Sequence, residues 1–568
     1  MKNRWIATCC LFVVGAMLPQ LGLAQPDTIS SAGVTIVSSF RSVLKESPKI
    51  NFSAAALLAD TTRQVLPYRV PDRQLMLDYS VRSVQPLAFV IDTARPFTNR
   101  AFVKAGYGNL RNPYLRAALD RGDGINKGLS VSGHYLSMSQ RPDARDMRFY
   151  RLSEWKADGY KRIKGSPFSL SSSIGFKRES TRNNLAFDSS RAIASFPDDS
   201  VRQQFSLLSA QLQLRSIAPN SSGVSIAPVI GFYHFFDNRN NNERQLKLQA
   251  PLQKQLGENW LVQTVFSLEA LRYLHQRGPL LPVGGRDTVL KNTLFSITPS
   301  VRYQQSSFQL QAAVSPTWNQ GRFAALPQLG ITYALPGKKT HVLAGWVARW
   351  NQNSYRTLAT QHPWIWAPAF LSTNRHTDRY LGVKGQVTAR LSYDLRAHLI
   401  AVEDQPLFIN DTSRAPRNVF KVVTADKLNQ LQFDARVDYK VAEQFSFSSQ
   451  LLVNHFYTIQ GQPVAWGLLP LEWKTSVRVA LSDELWMQSD LVLFSGAQNV
   501  DDHKRNSRAK GAADLNAGLS YRLSRSLQLW AQFNNLFNQP YQRWNQNPVF
   551  GFNCSGGIVF SFDEKKKP

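Results

Sequence analysis

The side chains with most scope for chemistry in this sequence are charged residues set two apart in its C-terminal half. Asp434, Arg436, Asp438 and Lys440 occupy alternate positions, and Lys474 and Arg478 recur in the next alternating stretch but one. A spacing of two places side chains on one face of an extended chain. Along the wall of a channel, such a face keeps a wide lumen solvated by pairing opposite charges, or it tunes which ions pass, a basic excess favouring anions. Enzyme signatures do not accompany it. None of the nine histidines belongs to a His-Glu-x-x-His pattern, which excludes a zinc protease of that type. Gly337-Lys338-Lys339-Thr340 lacks the upstream glycine of a phosphate-binding loop and reads as a charged turn. Arg121-Gly122-Asp123 falls in a short turn, a poor setting for an adhesion tripeptide. We therefore expect no catalytic residue, no metal and no cofactor, and a protein that is not an enzyme.

The elements that carry the charges are strands. Leu431, Phe433, Ala435, Val437 and Tyr439 alternate with Gln430, Gln432, Asp434, Arg436, Asp438 and Lys440. After a turn at Val441 to Gln444, the apolar set resumes with Phe445, Phe447, Leu451 and Val453, and later with Trp473, Thr475, Val477 and Val479. Earlier runs follow the same rule, at Phe168 to Phe176, Leu246 to Leu252 and Phe308 to Val314. Sustained alternation over about 10 residues per segment is the pattern of transmembrane barrel strands, and counting such segments predicts about 22, within a range of about 16 to 24. Tight turns such as Arg121 to 124, Pro336 to Lys339 and Leu523 to Ser526 should lie at one end. Longer polar connections at 178–203, 272–290, 353–378, 404–418 and 495–510 should lie at the other. Trp346, Trp350, Trp364, Trp366, Trp486, Trp530 and Trp544 stand near strand ends, where interfacial girdles are one explanation and strand propensity the other.

Composition and the N-terminus bound the compartment. Lys2 and Arg4 precede an apolar run from Trp5 to Leu18, with Gly22 and Ala24 before Gln25, the layout of a secretory leader over 1–24. Cys9 and Cys10 lie inside it, so Cys554 is left without a partner for an intrachain disulfide or a cysteine metal site. No later segment is a long uncharged apolar run, and an exported chain that spans lipid without such helices must close its strands into a barrel. Residues 25–97 are broken by Pro48, Pro67, Pro71, Pro86 and Pro96 and read as an extended periplasmic or lumenal segment. The barrel is expected over 98–562, with a charged periplasmic tail at 563–568. With 67 basic and 39 acidic residues the net charge is +28, which after a leader points to anionic lipid, lipopolysaccharide or anionic solutes and not to nucleic acid.

The stretch Gly551 to Phe562 alternates Cys554, Ile558, Phe560 and Phe562 with Asn553, Ser555, Val559 and Ser561. Its Ser555-x-Gly557-x-x-Phe560-x-Phe562 resembles the signature on the final strand of bacterial outer-membrane β-barrels, the strand read by barrel-assembly machinery. We expect it to pair with the first strand near Ala101. Ser526 to Trp544, with its Asn534-Asn535-Leu536-Phe537-Asn538, resembles the C-terminal end of TonB-dependent receptor barrels. Arg100 to Ala117 and Leu358 to Val387 resemble a shorter, Bacteroidetes-type branch of that family, and Val34 to Ile50 fits it more loosely. The resemblance implies an all-β fold, a transmembrane antiparallel β-barrel in the cell outer membrane, which receives or passes solutes. A non-transporting scaffold in an envelope or surface assembly complex, with other envelope proteins as partners, is the alternative. The family's plug domain has no counterpart in residues 25–97, so the resemblance does not carry over a TonB contact.

Overall fold

Alternating polarity makes each extended segment two-faced, and such segments leave no unpaired edge in lipid only when their sheet closes. The computed structural model describes residues 100–563 except 124–125, 143–146, 183–200, 276–287, 338, 412–418, 442–443 and 501–505. The expected leader, the 25–97 segment and the last five residues of the tail lie outside the described residues. Among the described residues one antiparallel sheet holds 23 strands. Its wall has 22 strands, and the extra one is the three-residue Val224–Ile226, paired at the foot of Asn241–Leu256. Each wall strand pairs with the next along the chain. Asn553–Asp563 then pairs with Arg100–Gly108, Ala101 standing opposite Phe562, and the ring is closed. At this seam the backbones approach so closely that a methyl on Gly557 would collide with the Ala105 carbonyl.

One face of the wall carries exposed apolar side chains, including Leu381, Leu399, Leu431, Phe433, Ile558 and Phe562, of which Leu381 is 62% exposed. So much apolar surface turned outward from a closed sheet is tolerable only against lipid. The opposite face carries the polar and charged residues. Several strands are far longer than a crossing requires: Phe420–Val441 has 22 residues and Leu391–Asn410 has 20. At ~3.3 Å per residue the longer spans about 70 Å, whereas a tilted crossing takes about 9–11 residues. The surplus stands beyond the membrane at the end with long connections.

Two expectations are corrected. The long connections are narrower than the polarity suggested, because Phe168–Arg182, Thr373–Gln386 and Leu391–Asn410 continue into them as paired strand. Backbone pairing needs only a neighbouring strand, not an apolar side chain. Tight hairpins, Asp237 to Asn241 and Asn319 to Arg322, also occur at the long-connection end. The girdle reading fails for three tryptophans: Trp364, Trp530 and Trp544 are at most 5% exposed, whereas Trp346 is 41% exposed on the outer face. Trp530 lies on the inner face, with the Lys104 ammonium 4.1 Å from its ring. The other two sit in connections folded into the mouth.

Candidate functional site

The six charged residues singled out in the sequence lie on two strands, Phe420–Val441 and Leu471–Ala480, with Phe445–Gln460 between them, on the face opposite Leu431 and Phe433. Cross-strand register runs Arg436–Gln450–Lys474 in one row and Lys440–Ser446–Arg478 in another. Their close partners are largely neutral or outside the six. Gln450 donates to Asp434 at 3.0 Å and accepts from Arg436 at 3.2 Å, Ser448 donates to Asp438 at 2.6 Å, and Lys474 pairs with Glu472. Further ion pairs line the same face, Lys156–Asp158 at 2.8 Å, Lys177–Glu179 at 3.0 Å and Arg396–Asp394 at 2.6 Å. The wall is thus highly polar and internally compensated.

Toward the outer end the inner face changes character. Phe205, Tyr233, Phe235, Leu271 and Tyr273, all at inward register within a run of four consecutive wall strands, form a buried apolar patch. Against it packs α1 (Tyr355–Gln361), in the connection between Thr340–Gln352 and Thr373–Gln386. Seven residues are too few for a helix to persist alone, so tertiary contacts hold it. Tyr355, Leu358 and Ala359 are buried in the patch, with Tyr355 5.2 Å from the Tyr273 ring and 5.7 Å from Phe235. Ser354 caps the helix, accepting from Thr357 N–H at 3.0 Å. From the wall, Glu243 accepts from the N–H groups of Tyr355 at 2.6 Å and Arg356 at 3.2 Å, and from the Tyr233 hydroxyl at 2.8 Å. A carboxylate on otherwise unpaired amides at a helix start satisfies both hydrogen bonding and the local dipole. The Tyr355 hydroxyl donates to Asp237 at 2.6 Å, and its burial and this carboxylate push the phenol well above its ordinary range, so it stays protonated.

The connection between Leu527–Asn534 and Asn553–Asp563 reaches across the opening. On one side Gln140 accepts from Gly551 N–H at 3.0 Å and the Arg148 guanidinium donates to the Val549 carbonyl. On the other, the Trp544 ring lies 4.7 Å from His362, 5.3 Å from Phe408 and 5.7 Å from Phe420. Five wall strands separate Phe420–Val441 from Asn553–Asp563 around the ring. Arg543 lies over Trp544 at 4.3 Å and donates to the Gly467 carbonyl at 2.9 Å. Gly467 has φ +73°, and a methyl there would stand 2.7 Å from the Trp544 ring, so the position admits glycine alone. His362 is 0% exposed, and its Nδ1 accepts from Trp364 N–H at 3.0 Å. Burial and the Arg543 charge hold this imidazole well below its ordinary range, keeping it neutral. Arg543 itself is pushed down to about 10 by burial, against the opposing pull of Glu472, and remains a cation at neutral pH.

The inner end of this mouth holds no nucleophile–base pair in the contacts described. What it holds is packing: aromatic contacts and hydrogen bonds fix two connections, a lid, against the inner face of the wall. The sequence reading missed Glu243, Tyr355, His362 and Arg543, and it took Trp544 only as an aromatic near a strand end. Two signals were available: Ser354 before the helix with Pro363 after it, and aromatics at inward register where polar residues were the rule.

A closed barrel of 22 strands with an apolar outer face is an outer-membrane architecture. No protein-family model and no curated protein matches the sequence. Solved structures do share the fold. An iron transporter, FrpB from Neisseria meningitidis, superposes with a TM-score of 0.63 at 10% identity, over 82% of this chain and 83% of that one. The siderophore receptor PirA from Acinetobacter baumannii gives 0.63 at 10% identity over 83% and 81%. A variant of the ferric enterobactin receptor PfeA from Pseudomonas aeruginosa gives 0.61 at 11% identity over 83% and 81%. The fold resembles that of these receptors, and at such identity the likeness concerns the fold.

Proposed function

We propose that this protein receives solutes at the outer face of the outer membrane and passes them through its barrel. The observation that carries this is a 22-strand wall with a polar inner face and two of its own connections folded into its outer mouth. A wall of that size encloses far more than side chains can fill, and comparable outer-membrane transporters hold a plugged lumen. A static scaffold has no need of a polar interior under a separately packed lid. The neighbours in fold are an iron transporter and siderophore receptors by name, which makes iron chelates the first solutes to test. In this reading Asp434, Arg436, Asp438, Lys440, Lys474 and Arg478 line the path, and Ser555, Gly557, Phe560 and Phe562 belong to the strand read by the assembly machinery. Residues 1–24 serve as a leader, 25–97 lie in the periplasm or lumen in place of a plug, and 563–568 form a periplasmic tail. Coupling to TonB is not part of the proposal.

Planar-bilayer recording tests it, using the full chain, a Trp544→Ala variant and a chain lacking 26–97. The expected result is brief, small conductance steps in the full chain that become larger or longer-lived in at least one altered form. A tight seal in all three, with envelope proteins co-purifying, would replace transport by the scaffold reading.

A further inference from the structure

On the outer wall, three cations lie side by side. Arg244 stands directly opposite Arg272, and Arg272 directly opposite Lys291, on the adjacent strands Asn241–Leu256, Trp260–His275 and Thr288–Gln305. All three are exposed and share the face of the exposed Leu246, Leu252, Phe266 and Phe295. His234 extends the row as the cross-strand neighbour of Arg244. Like charges directly opposite each other in a sheet are destabilising, and no acid on this face offsets them among the described residues. The nearby carboxylates are turned inward, Glu243 onto α1 and Glu269 onto Lys247 at 2.7 Å.

The height of the row tells what does offset them. At the short-turn end of the same face, Trp260 and Tyr303 stand opposite one another with rings 4.7 Å apart, an aromatic pair suited to one interface. Arg272 lies twelve residues further along that strand. At ~3.3 Å per residue and a tilt of about 40°, the rise is about 30 Å, the thickness of the hydrocarbon core. Between the two levels the face presents Leu248, Leu268, Phe266, Phe295 and Ile297. The row therefore meets the headgroup layer of the outer leaflet, where adjacent guanidinium groups bind phosphate with paired, charge-assisted hydrogen bonds.

We infer that Arg244, Arg272 and Lys291 form a docking site for the phosphate of an outer-leaflet lipid. The inference rests on the proposed outer-membrane setting. The test titrates purified full-length protein in neutral detergent with diphosphorylated lipid A and with its enzymatically dephosphorylated form, read by native mass spectrometry. The wild type should retain the phosphorylated lipid at least about tenfold more tightly than the dephosphorylated one, and R244Q/R272Q/K291Q should lose that preference. R244K/R272K should keep part of it, and K339Q/R390Q, at the opposite end of the barrel, should keep all of it. Equal binding by the triple variant, equal binding of both lipids, or full competition by inorganic phosphate at the lipid's concentration would overturn the site. Heat-modifiable gel migration of each variant separates a misfolded barrel from a lost site, and its absence in the wild type would instead refute the barrel setting.

Discussion

Glu243 ties the lid to the wall through the backbone amides of Tyr355 and Arg356, and its carboxyl is braced within the wall by the Tyr233 hydroxyl. Removing the acceptor leaves those donors unsatisfied, at a cost of about 1–3 kcal/mol to local closure. Glu243→Ala should therefore speed amide exchange over 353–366 while leaving exchange in the wall strands unchanged; equal rates in both regions would show that the carboxylate does not hold α1. His362 makes the same lid sensitive to acid. Its depressed pKa in the closed state means that the open state takes up the proton more readily. Closure is then fully stable above the ordinary value of 6.5 and weakens as pH falls below it. Open time in bilayers should rise between about pH 6.5 and pH 5, and His362→Phe should abolish that dependence. Arg543→Met removes the repelling cation and so should reduce it; an undiminished response in His362→Phe would place the titrating group elsewhere.

At the scale of elements, the seam and the outward row show how a strand's neighbours give its residues their roles. Gly557 faces the Ala105 carbonyl at a distance that excludes a methyl group, whereas a methyl on Gly231 would make only ordinary contact, 4.0 Å from the Lys247 side chain. Gly557→Ala should lower the fraction of protein that migrates as the closed form before boiling, and Gly231→Ala should leave it near wild type. An equal effect of the two would mean that the seam tolerates more separation than the structure allows. Helix α1 makes a related point. Its seven residues are held by a patch on three strands, and the helix would not survive excision as a peptide.

At the scale of the whole molecule, the described residues form a ring with a lid, and stability should reflect that division. Wall strands are joined by a continuous antiparallel ladder, so unfolding the ring breaks many hydrogen bonds at once, whereas the lid opens by losing the packing around Trp544 and α1. Deleting 536–551 should leave heat-modifiable migration intact and enlarge conductance; loss of the folded form would show that the lid is integral to the ring. The alternation that marks the wall was legible because it is local. Leu431 and Asp434 declare their faces through backbone geometry, and any exported chain with such strands must close them in lipid. Polarity misled where the same geometry continued beyond the membrane, as at 404–410, since pairing there depends on a neighbour and not on the side chains.

From sequence alone, then, came the two-faced strands, their approximate number, the last strand's return to Ala101 and the face on which Asp434 to Lys440 lie. Period-two patterning follows from the backbone itself and needs no knowledge of distant residues. Tertiary structure decided which connections turn inward, that His362 meets Arg543 and Trp544 across the ring, and that Arg244, Arg272 and Lys291 fall in one row. Those relations depend on how many strands separate two residues around a closed wall and how far each strand is staggered against the next. Closure and stagger are properties of the assembled sheet, and no single strand encodes them.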